Sequence, residues 1–105
     1  MVLFLSGINR EESVIDSIHL YDAFEWIIAA DKILNSLYKY NYNTLYKDSI
    51  VKINAINNNI NQLLHILYNN DDIYYQYNIR SKISQYTYAK TIWRKIQDTT
   101  LMIKC

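Results

Sequence analysis

The sequence predicts an all-α protein, an elongated antiparallel three-helix bundle that dimerisation would complete. Three observations carry this. Glycine occurs once, at Gly7, and proline never, so the two residues that punctuate hairpin-rich β folds are missing. Apolar residues recur at three- and four-residue spacing over long stretches, the period of a helix with one buried face. Polar clusters at two places divide these stretches into three. At 105 residues and 50% hydrophobic content, the chain reads as a single domain, 1–105, with a core of its own.

The first helix is expected over about residues 10–38. Asn9 is placed to cap it, and Glu12 can return a hydrogen bond to the cap's backbone amide as in a capping box. Glu11 and Glu12 suit the positive end of the helix dipole. Ala23, Phe24, Ile27, Ala30, Leu34 and Leu37 then mark the apolar stripe. Lys39 to Asn43 reads as a turn, with Thr44 as the next cap.

The second helix is expected over about 45–69. Tyr46, Ile50, Ile53, Asn57, Ile60, Leu64 and Leu67 alternate gaps of four and three, a heptad-like seam widened by Ile56 and Leu63. Lys52, Asn58, Asn59 and Asn61 fall on its outer face. Asn57 occupies a seam position otherwise held by apolar residues or Tyr46. Buried there, it would cost stability but could fix the register of a partner helix; at the stripe's edge it would do neither. The residues expected to meet a partner are Asn57, Ile53, Ile60 and Leu64, with the apolar start Met1 to Leu5 as a further contributor.

Asn69 to Asp72 forms the second turn, with an aspartate capping a third helix over about 72–103. Ile79, Ile83, Tyr86, Ala89, Trp93, Ile96 and Ile103 line one side of it. Tyr74, Tyr75 and Tyr77 suit a strand as well as a helix, so a break near Asn78 is one reading of that segment.

Composition limits function more than it names it. Asn, Ile, Tyr and Lys make up 48 of the 105 residues. Their codons are rich in A and T, which points to an AT-rich genome such as a viral or archaeal one and lowers the value of tyrosine as a binding signal. The single cysteine, Cys105, excludes an intramolecular disulfide. Met1 to Leu5 is too short for a signal-peptide core, and no run approaches the ~18 apolar residues of a membrane span. The expected setting is intracellular and cytoplasmic, with no membrane partner.

Catalytic and metal chemistry find little support. Glu12, Asp16 and His19 share one helical face, but a helical-bundle metal site needs ligands from other helices, and the second and third helices supply little beyond His65 and Asp98. His19 and His65 alone define no mechanism, and Gly7 alone forms no phosphate loop. No enzyme, no cofactor and no small-molecule substrate are therefore expected.

The net charge is only +1, yet it is unevenly spread. Residues 1–37 carry −4, 38–72 balance, and 73–105 carry +5. The acidic first helix could neutralise the basic third. Alternatively, Arg80, Lys82, Lys90, Arg94 and Lys95, interleaved with Tyr88 and Trp93, could contact nucleic acid. The leading expectation is a non-enzymatic helical interaction protein: a subunit, an adaptor or a viral factor that meets a host protein. It would bind itself or another protein. The alternative is a nucleic-acid-contacting helical subunit of a larger nucleoprotein complex.

Overall fold

The computed structural model describes residues 22–104. Within them lie three α-helices, α1 (Ala23–Asn35), α2 (Tyr42–Tyr68) and α3 (Ile73–Lys104), with a short 3-10 turn, Leu37–Lys39, between the first two. No strand occurs among the described residues. The all-α bundle expected from periodicity is therefore present. Its extents of 56 × 25 × 18 Å and radius of gyration of 17.0 Å make it elongated, against about 13 Å for a compact domain of this size.

Each helix starts where a short polar side chain can accept an orphan backbone N–H. The Asp22 carboxylate accepts from the Phe24 amide at 2.9 Å. Asn41 Oδ1 accepts from Asn43 and Thr44, at 3.0 and 3.3 Å. Asp72 Oδ1 accepts from Tyr75 at 3.0 Å. The aspartate cap of α3 thus agrees with expectation, whereas α2 begins three residues ahead of 45 because Asn41 takes the capping role given to Thr44.

Two helix boundaries are corrected. A continuous first helix over 10–38 does not form, because Asp22 is extended (φ −63°, ψ 121°) and the helix starts at Ala23 and ends at Asn35. The physical reason is that an aspartate's side chain satisfies an N-terminal amide better than it supports a helix interior. The proposed start at Asn9 and Glu12 lies outside the described residues. Conversely, the break near Asn78 is absent: α3 runs unbroken through 32 residues, its tyrosines continuing the helix.

Helix α3 is the central element, packing along both α2 and α1. Trp26 of α1 meets Tyr86 of α3 edge to face, ring centroids 6.0 Å apart and planes at 77°, a geometry that suits the ring quadrupoles. Ala23 and Ala30 on α1 and Ala89 on α3 are buried, and such small side chains let helix axes approach closely. Ile56, Leu63, Ile79, Trp93 and Ile96 fill the rest of the core.

The buried row of α2 is Leu45, Ser49, Ile53, Ile56, Asn59, Leu63 and Leu67. It shares Ile53, Ile56, Leu63 and Leu67 with the expected stripe, and its other members, Leu45, Ser49 and Asn59, lie one position before Tyr46, Ile50 and Ile60. Asn59, assigned to the outer face, is only 6% exposed, while Asn57 is half-buried at the edge. Ser49 on this row and Thr100 on α3 are both fully buried, and their hydroxyls donate to the Tyr46 and Gln97 carbonyls at 2.7 and 2.9 Å. A hydroxyl satisfied by its own helix costs little to bury, so small polar residues stand where an apolar pattern would not place the core.

Candidate interaction surface

The residues first assigned to a partner interface divide on burial. Ile53 is spent in the intramolecular core, and Ile60 and Leu64 pack against it as partly buried side chains. Asn57 keeps partial exposure at the stripe's edge. The outer face of α2 instead presents Lys47, Val51, Asn54, Asn58, Asn61, His65 and Tyr68, a hydrated polar row in which Val51 and Tyr68 are the large hydrophobics.

The five cations of α3 are placed differently from a single basic patch. Arg80, Lys82, Arg94 and Lys95 are exposed and Lys90 half-buried. At 3.6 residues per turn, Lys90 and Arg94 lie within ~40° of each other, but Arg80 and Lys82 point about 200° apart. None of the five forms an ion pair with a described acidic residue. Trp93, a candidate stacking residue, is 1% exposed and belongs to the core; Tyr88 remains on the surface.

The face of α3 opposite its buried row holds Tyr77, Ser81, Ser84, Tyr88, Thr91, Lys95, Asp98 and Met102, all exposed. Tyr77 is 73%, Tyr88 58% and Met102 78% exposed. Ile73 and Tyr74 extend the aromatic end, and Leu101 and Ile103 flank the aliphatic one. More of the exposed large hydrophobics sit on α3 than on α1 and α2 together. Sequence reasoning missed this face because it tracked a single stripe per helix. The signal was there in the second row of spacing, with gaps of four and three from Tyr77 to Met102.

Inside the bundle, burial pushes the Tyr86 phenol up to about 12, with the nearby Asp22 charge acting in the same direction. Two buried nitrogens, Asn59 Nδ2 and Trp93 Nε1, have no hydrogen-bond partner among the described residues. No group of three His, Cys, Asp or Glu among the described residues could hold a metal ion. Glu12, Asp16, His19 and Cys105 lie outside those residues. No described helix is long and apolar enough to cross a membrane. The chain matches no protein-family model, no curated protein and no solved structure.

Proposed function

We propose that the chain is a non-enzymatic interaction protein that works through the exposed face of α3. One observation carries the reading. The longest helix packs one side against both neighbours and leaves Tyr77, Tyr88 and Met102 exposed along the other. Tyrosine and methionine are enriched where proteins meet. The polar asparagine row of α2 offers much less to bury.

The test compares material retained from the native source by the wild-type chain and by a Tyr77→Glu/Tyr88→Glu variant. Retention that survives nuclease and is lost in the variant is expected. Equal retention by both chains would overturn the assignment to this face.

A second reading, contact with nucleic acid, is favoured by the exposed cations of α3, which pair with no described acid. The opposed direction of Lys82 and the burial of Trp93 weigh against it. A Lys90→Glu/Arg94→Glu/Lys95→Glu variant separates the two. Salt-sensitive retention on heparin, or a mobility shift that this variant abolishes, would put the phosphate-contacting reading first.

A further inference from the structure

We infer that the occupant of the α3 face is a second copy of the same chain, lying antiparallel along it. The inference deepens the proposed function and rests on it. The seam from Tyr77 to Met102 lies on one continuous helix and is ~38 Å long at 1.5 Å per residue. Its composition is graded: aromatic at one end, hydroxylic in the middle with Tyr88, charged toward Lys95 and Asp98, and aliphatic at the other end.

Charge and size fix the direction. A parallel in-register pair would set Lys95 against Lys95 and Asp98 against Asp98, like charges directly opposed. An antiparallel pair has a register without that fault. Tyr77 stands opposite Met102 of the second copy, Ser81 opposite its Asp98, Ser84 opposite its Lys95, and Tyr88 opposite its Thr91. The two layers nearest the axis, Ser84 with Lys95 and Tyr88 with Thr91, each match a long side chain with a short one, the pattern that lets layers interdigitate. The end layers bring a thioether to an aromatic ring. Arg80, next to Ser81, comes alongside the second copy's Asp98, so the one acid of α3 is used twice across the two-fold axis. The contact is isologous, as a closed dimer requires. A strip this long and one helix wide covers only ~400 Å² per copy, about half the standard for a specific stable interface and in the range of weak, transient contacts. The association is therefore concentration-dependent.

The test uses the full chain with Cys105→Ser and one new cysteine at a time. The two-fold axis passes between Tyr88 and Thr91. Residue 91 then lies ~4.5 Å along the axis from its mate, and residue 84 lies ~16 Å from its own. With a short bis-maleimide, Thr91→Cys should give covalent dimer and Ser84→Cys should not. Light scattering should show mass rising toward a dimer with concentration. The Tyr77→Glu/Tyr88→Glu variant should raise the dissociation constant at least about tenfold, since each change occurs twice in the interface.

Cross-linking at both positions would overturn the antiparallel arrangement in favour of a parallel one. A dimer that links at neither would place self-association on another surface. A monomer at all concentrations would overturn self-pairing outright. In the last two cases the proposed function is judged separately, by the loss or retention of partners in the native-source comparison.

Discussion

Replacing Asn59 by leucine should stabilise this protein, although it removes a polar residue from a helix rich in asparagine. The amide is 94% shielded from solvent, and its Nδ2 finds no acceptor among the described residues. A buried donor left unpaired costs about 1–3 kcal/mol. Leucine has the same branch point and nearly the same length, so the shape penalty of the swap stays under about 1.5 kcal/mol. The net gain expected is about 1–2 kcal/mol, or roughly 5–10 °C in Tm for a chain of this size. The control is Asn57→Leu, two positions away. That amide is half-exposed and can be hydrated, so its replacement should change stability by no more than about 0.5 kcal/mol. Thermal melts followed by circular dichroism, with urea unfolding to give the free energies, decide the matter. The reasoning is refuted if Asn59→Leu lowers stability by 1 kcal/mol or more. The opposite pattern, a large gain at 57 and none at 59, would restore the seam read from apolar spacing alone.

Three further outcomes are expected. Tyr86 holds its proton to about pH 12 in the folded chain, against about 10 in an unfolded one. The folded state thus binds the extra proton between those values, and stability should fall as pH rises from 10 to 12, by roughly 2–3 kcal/mol in all. In Tyr86→Phe that part of the alkaline loss should be missing from unfolding curves measured across the same range. Asn41→Ala leaves the Asn43 and Thr44 amides without their cap and should cost about 1 kcal/mol in urea unfolding. Ser49→Ala should be close to neutral, since the hydroxyl bonds only its own helix. Ser49→Leu should cost about 1–3 kcal/mol by overpacking a fully buried position.

The helical period, the two turns and the aspartate cap of α3 were legible in the sequence because each is a local signal. What escaped it was phase. An apolar pattern counts isoleucines and leucines, but the buried row of α2 includes Ser49 and Asn59. Ser49 is small and internally satisfied, and a pattern drawn from hydrophobicity alone passes over it. Ile56 and Leu63, read as widening the stripe, are in fact fully buried, so the buried centre lies about one residue, or 100° of helix, before the seam, and Asn59 stands in it where the seam had Ile60. The helix start at Asp22 escaped for a related reason: the stripe from Ala23 to Leu37 matches one helix equally well if extended backwards, and only the cap geometry marks the start. For the cations of α3, a count along the chain gave a basic segment, whereas at 100° per residue Lys82 points away from the side that carries the other four.

The central place of α3 separates what holds the fold from what is offered outward. Its buried row, Ile79, Tyr86, Ala89, Trp93, Ile96 and Thr100, is shared between α1 and α2, so any change there disturbs both packings at once. The opposite row is exposed, and substitutions on it lie in the range of about 0.5 kcal/mol typical of exposed helix positions. Tyr77 and Tyr88 can therefore be changed to charged residues with little effect on folding. A retained far-UV spectrum and melting temperature, together with altered association, would assign the effect to the surface. Loss of structure in the same variant would instead show that the outer tyrosines belong to the core of the fold, and would remove the physical basis for reading that face as a site of contact.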